Sequence, residues 1–265
     1  MAKIKAGFPL NGTLGNYSIY KRKGTEKIVI RAKGGPSNEL IKTSPRFAAT
    51  RKSNKEFSGA GMASGKIQRA MYAVTHLADP VLSGRLTSVA TMIQKLDTEN
   101  PVGKRSLLFS RLPNILNGFA LNIDIPFDSY VSSALDATVS RAALSASITV
   151  PKLTPKLNFH PPQDYELYRV IAVLGIVPDM QLGLYEYEPV NPNTQYFPRQ
   201  SQTEWASVFR ISPETSLTIQ LPEHSNFDTS CSLVLSVGIE FGKYLTEGLV
   251  KAGKQVGSAK ILSNS

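Results

Sequence analysis

The chain has few of the residues from which enzyme sites and covalent frameworks are built. Its 265 residues include one cysteine, three histidines and one tryptophan. The lone Cys231 excludes an intramolecular disulfide framework and any zinc site built on several thiolates. Only His76, His160 and His224 could serve as the base that nucleophilic catalysis needs. His76 falls in a helical stripe, His160 precedes Pro161-Pro162, and His224 sits in a turn-like stretch, none beside a recognisable nucleophile motif. Long apolar runs are also missing. The most apolar stretch, 170–177, is far shorter than a membrane span. The first ten residues carry two lysines but no apolar signal-peptide segment. The expectation is a protein with no catalytic residues, cofactor, metal, membrane span or small-molecule substrate. It would be cytoplasmic by default, with leaderless release or incorporation into a particle equally compatible.

What the chain does have is basic charge, unevenly placed. Residues 1–111 hold 20 Lys+Arg against 6 Asp+Glu, a net +14, while residues 112–265 hold 10 against 14, a net −4. Such a split points to a polyanion or to the acidic surface of another protein, including a neighbouring copy.

Residues 17–33 read as a β-hairpin. Strand formers in 17–22 and 27–33 flank a glycine-bearing turn at 23–26. Ser44-Pro45 is a helix start, with Ser as N-cap and Pro at the first helical position. Apolar stripes at Ile67, Ala70, Met71, Val74 and Leu77, then at Leu82, Leu86, Val89, Ile93 and Leu96, predict two helices that meet near Asp79-Pro80. Gly59, Gly61 and Gly65 each weaken a helix, so a break or a close helix–helix contact is expected there. From Gly118 the period becomes two. Leu121, Ile123 and Ile125 alternate with polar residues, as do 144–150, 217–221 and 233–241, whereas 167–177 is apolar on both faces and reads as a central strand. Proline-bearing turns separate these runs. The predicted fold is α+β: a basic hairpin and helical segment over 1–112, then an antiparallel β-sandwich over 113–265.

Motifs that could carry chemistry are near misses. In 59–66 a phosphate-binding loop would need Gly where Ala60 stands and a hydroxyl residue where Ile67 stands. Glu186 with Glu188, and Asp124 with Asp128, lack flanking ligands at calcium-loop spacing. Cys231 reads as a packing residue and Trp205 as a core or interface anchor. The feature above background is the basic segment. Lys21, Arg22, Lys23, Arg31, Lys33, Arg46, Arg51, Lys52 and Lys55 are interleaved with Tyr17, Tyr20, Phe47 and Phe57. Fixed cations among aromatic rings can follow a phosphate backbone and stack bases, or dock on an acidic subunit.

The stretches 11–20, 31–35, 44–47 and 54–59 resemble a loose group of uncharacterised bacterial proteins. Those proteins begin with a glycine-rich basic hairpin, continue through helices and end in a variable β-rich half. The resemblance covers roughly the first hundred residues, implies the two-part layout and brings no activity. A basic arm before a sandwich is also similar in layout to some viral coat proteins, an analogy of fold alone. The expectation is therefore a non-enzymatic structural or assembly protein that forms a homo-oligomer and docks its basic segment on an acidic neighbour. The alternative is a sequence-independent nucleic-acid-binding protein. A third reading is an enzyme or carbohydrate-binding module that uses the sandwich loops around Tyr185, Tyr187, Tyr196 and Trp205.

Overall fold

The computed structural model describes residues 2–4, 11–21, 28–194, 197–222, 227–246 and 249–265. They divide into two compact units, Met1–Arg51 and Lys52–Ser265.

The first unit holds strands β1 (Ala2–Ile4), β2 (Gly12–Leu14), β3 (Tyr17–Lys21) and β4 (Ile28–Ala32), then helix α1 (Asn38–Thr43). The strands form one antiparallel sheet in the order β1-β4-β3-β2. The predicted hairpin is its central pair, β3–β4, while the expected turn at 23–26 lies outside the described residues. An isolated hairpin is marginal in water, but this one is flanked on both edges by strands of its own unit. Gly15, at φ 53°, supplies the left-handed residue in the two-residue connection from β2 to β3. Ser37 caps α1 by accepting the Leu40 amide at 3.1 Å.

A 3-10 turn at Pro45–Phe47, where Ser44-Pro45 was expected to start a helix, leads into helix α2 (Ala48–Ala70). A second 3-10 segment, Tyr72–Leu77, links it to α3 (Leu82–Lys95). The break expected at the α2 glycines does not occur. Gly59 packs against the ring of Tyr187, whereas Gly61 and Gly65 face open space. Helix–helix contact comes instead through Ser64, whose hydroxyl donates to the Ser83 carbonyl at 3.2 Å.

The remaining strands are β5 (Asp136–Ser140), β6 (Ser145–Val150), β7 (Leu167–Pro178), β8 (Met180–Leu182), β9 (Tyr187–Pro189), β10 (Arg199–Gln202), β11 (Ala206–Ser207), β12 (Thr215–Gln220), β13 (Cys231–Thr246) and β14 (Leu249–Asn264). They form antiparallel sheets: β10-β7-β13-β14 with β11 also on β7, then β12-β6-β5, and the pair β8-β9. The fold is thus mixed α+β with several antiparallel sheets. β7 lies between β10 and β13, and its two faces feed two cores, as its two-sided apolar pattern requires. Ile171, Val173 and Val177 join Ile67, Met71, Val74, Leu77, Leu86 and Ile93 from the helical segments. Val170, Ala172, Leu174 and Ile176 join Ile148, Leu217 and Ile219 from the three-stranded sheet. The first core draws residues from both sides of the 112/113 boundary expected from the sequence. Close approach is built in: a Cβ on Gly175 would stand 2.1 Å from the Ala70 carbonyl oxygen, and one on Gly238 would meet Val74.

Two strand readings change. Leu121, Ile123 and Ile125 do not form a strand. The Asn122 carboxamide oxygen accepts the amides of Asp124 and Ile125, and Asp79 accepts that of Ile123, which turns the chain. β13, expected to be wet on one face, is buried on both from Cys231 to Gly242 because the helical segments cover the second face.

Candidate functional site

Strand pairing decides which basic residues share a surface. On β3 and β4, Ser18 stands opposite Arg31 and Tyr20 opposite Val29, so these four lie on one face of the sheet. There the Arg31 guanidinium sits over the Tyr20 ring, 5.7 Å from its centroid. Tyr17 and Lys21 lie on the other face with Ile19 and Ile28, and Tyr17, paired with the exposed Leu14, is itself exposed. The two tyrosines therefore cannot stack on one ligand from one face. Lys33 is exposed just past β4, its amide bonded to the Asn16 carbonyl. Arg22 and Lys23 lie outside the described residues.

The basic residues that follow have structural duties. Arg51 donates from Nη1 to the carbonyls of Ile41 and Ser44, both at 2.8 Å, and so closes the C-terminal end of α1. Arg46 lies 6.0 Å from the Phe47 ring centroid. In the second unit the Lys52 stem lies against Gly103, whose φ of 97° lets the chain come close, and Lys55 is half-buried. Phe57 is exposed.

The second unit contains a charged cluster that the sequence did not reveal. Glu240, on the helix-facing side of β13, is 3 % exposed. It accepts from Arg169 Nε on the adjacent β7 position and meets His76 Nε2 at 2.9 Å. The Arg169 guanidinium in turn lies 4.7 Å from the Trp205 ring centroid. Burial alone would push the Glu240 carboxyl up, yet hydrogen bonds from His76 and Arg169, with the Arg169 charge, hold it below its ordinary value. A carboxylate that orients a histidine is half of a catalytic arrangement, but no hydroxyl or thiol bonds to His76 among the described residues. The cluster satisfies a buried charge. Its partners are 71 and 164 residues away in sequence, so no local motif could announce it.

The other sequence candidates disperse. Residues 59–66 are helix interior and offer no loop to cradle a phosphate. Asp128 pairs with Lys260. Glu186 stands in the β8–β9 turn and Glu188 on β9, both exposed. Cys231 is buried with its thiol pushed up by burial, 3.6 Å from the Thr194 hydroxyl. Of the proposed aromatic pocket, Tyr187 is a core residue, Tyr185 is 92 % exposed, Trp205 stacks on Arg169, and Tyr196 lies outside the described residues. His160 lines a surface cleft of about 390 Å³ with Phe159, Tyr165 and Phe209. Asp179 is buried, and burial raises its carboxyl despite hydrogen bonds from the Ser110 amide and hydroxyl. Among the described residues no three His, Cys, Asp or Glu side chains gather as a metal-binding cluster, and no helix is long and apolar enough to cross a membrane.

No known protein family, no curated protein and no solved structure matches the chain.

Proposed function

We propose that this chain is a non-enzymatic structural protein that self-associates, with the Met1–Arg51 unit as a basic contact module and the Lys52–Ser265 unit as the body. The charge of each unit carries the reading. Residues 1–51 hold 11 Lys+Arg against 2 Asp+Glu, a net +9, whereas residues 52–265 hold 19 against 18, a net +1. Almost all the excess positive charge thus belongs to the smaller unit. A small unit with so much charge of one sign repels itself, and an anionic surface relieves that repulsion. We take that surface to be an acidic region of a neighbouring copy. We read the body as a β-sandwich with helices on its outer face, since its three- and five-stranded sheets share one core.

The test is the solution mass of nuclease-treated protein, by light scattering at low and high salt. A defined oligomer that dissociates at high salt is expected, because exposed charge contacts are screened beyond about 10 Å at 0.1 M salt. A monomer under both conditions refutes the reading.

The contact of Arg31 with Tyr20 on a wet sheet face favours a second reading, sequence-independent binding of single-stranded nucleic acid. It requires the logarithm of affinity to fall steeply with the logarithm of salt concentration. The slope should shrink by roughly one for each phosphate-contacting cation reversed, Arg31 and Lys33 first. Anisotropy titrations in which those reversals change nothing would remove it.

A further inference from the structure

We propose that the outer strand segments of β13 and β14, residues 243–246 and 249–251, of one copy dock on the β8–β9 turn of a second copy, so that the chain assembles head to tail. This rests on the self-association reading and assigns it a contact made by the body, without which the basic N-terminal unit does not hold copies together.

The hairpin outruns its sheet. β7 pairs with β13 only as far as Gly242↔Leu167. Beyond that point Lys243↔Lys251, Tyr244↔Val250 and Thr246↔Leu249 pair only with each other among the described residues. The resulting arm extends about 14 Å at ~3.4 Å per residue. Among the described residues no further strand pairs with either one, so both edges present free backbone donors and acceptors. Tyr244, Leu245 and Leu249 are each more than half exposed. Lys243 and Lys251 stand directly opposite each other, a like-charge pairing that destabilises a strand pair unless an anion bridges it. Lys254 adds a third exposed cation. Lys243 lies 5.1 Å from the Tyr165 ring centroid, and no carboxylate pairs with any of the three among the described residues. Over 243–256 the sequence has three lysines and one acid, Glu247, which lies outside the described residues.

The complementary feature is the β8–β9 turn. Leu184 and Tyr185, each 92 % exposed, form an apolar tip beside the exposed Glu186 and Glu188. No Lys or Arg occurs in 180–194. An apolar–acidic tip thus matches an apolar–basic arm in both properties. Two arms could not pair with each other as well, since that would set lysines against lysines.

Position makes the contact intermolecular. The arm leaves the sheet at the Leu167 end of β7, and β8 follows the opposite end, Pro178. Ala70 crosses β7 at Gly175, and α2 continues from there to Gly59, which packs on Tyr187. At ~3.3 Å per residue, β7 from Leu167 to Pro178 sets the start of β8 on the order of 36 Å from the point where the arm leaves the sheet. One copy cannot close on itself, and a repeated heterologous contact yields a ring or a filament.

The test uses the full chain with two charge-reversal variants, K243E/K251E and E186K/E188K. All four positions are exposed, and circular dichroism melts will confirm folding. By sedimentation velocity at low salt each variant alone should fall to monomer mass. An equimolar mixture should regain oligomer mass, because each arm then meets a tip of opposite charge. Oligomers retained by either variant, or a mixture that stays monomeric, overturn the inference. A monomeric wild type overturns it together with self-association. A wild-type oligomer that dissolves on reversal of Arg31 and Lys33 but ignores the arm and tip variants overturns this inference alone.

Discussion

Gly59, Gly61 and Gly65 stand within two turns of one helix, yet the structure assigns them opposite responses to replacement by alanine. In a helix interior Gly→Ala gains about 0.8–1 kcal/mol, because glycine has more backbone freedom to lose on folding. At Gly61 and Gly65 an added Cβ meets nothing within 4 Å. The full gain is therefore available, and for a unit of this size each substitution should raise Tm by about 2–4 °C. At Gly59 the Cβ would stand 2.5 Å from Cδ2 of Tyr187 and 2.7 Å from Cε2 and Cγ. The ring cannot swing away freely. It is 2 % exposed, and its hydroxyl donates to the Arg105 carbonyl at 2.7 Å and accepts from Gln94 Nε2 at 3.0 Å. Overpacking of this kind costs about 1–3 kcal/mol, and a lost hydrogen bond adds about 1 kcal/mol. After the helical gain is subtracted, G59A should be destabilised by about 1–3 kcal/mol, with Tm lower by at least about 2 °C. Thermal unfolding followed by far-UV circular dichroism separates the three variants by sign. Y187F in the G59A background should recover part of the loss, since it frees the ring from its two hydroxyl contacts. If G59A melts above wild type, as G61A should, the packing of Tyr187 on α2 is wrong.

Two further outcomes test the charged residues that the fold has put to structural use. Glu240 has its carboxyl held below the ordinary 4.5, so its contribution is complete above that value and is lost as pH falls through the lower folded value. Wild type should therefore lose stability as pH falls below about 5, and E240Q should lack that slope. At neutral pH E240Q should cost about 2–4 kcal/mol, less than for a fully buried pair because Arg169 and His76 reach solvent; chemical denaturation at several pH values checks both statements, and a parallel pH profile refutes them. R51A leaves the Ile41 and Ser44 carbonyls without their guanidinium partner and should cost about 1–3 kcal/mol within the first unit. Faster amide exchange in α1 is the expected sign, and unchanged exchange would show that Arg51 does not hold the helix end.

The mixed α+β character and the positions of β6, β7, β12 and most of β13 were legible because those runs keep a period of two or are apolar throughout. β14 was not, since two glycines and four polar or charged residues interrupt 249–258, and its partner lies across the hairpin. The false strand at 121–125 has the right alternation, but Asn122 and Asp79 take its amides, and a side chain acting as backbone acceptor leaves no periodic trace. For the candidate site, the charge asymmetry could be read directly, whereas the assignment of each cation could not. Arg51 looks like any other cation on a basic helix until the carbonyls of α1 are seen to face it. Glu240 looks like the wet side of a strand until Arg169 and His76 are placed beside it.

The division into units also changes what kind of acidic partner is required. Counted from residue 112, the later part of the chain is net negative and could attract a basic arm by bulk charge. Counted from residue 52, the body is close to neutral. A contact between copies must then rest on local acidity, and the β8–β9 turn is local in this sense: two exposed carboxylates, an apolar tip and no cation in 180–194. The need for a partner moves as well. The β3–β4 hairpin has neighbours on both edges within its own sheet and does not require one, whereas the end of β13–β14 has no further strand on either edge among the described residues, exposed apolar side chains and two lysines facing each other. A two-stranded ribbon with those properties is marginal by itself, so the structural demand for association lies in the body, and the basic unit adds charge to a contact whose geometry is set elsewhere.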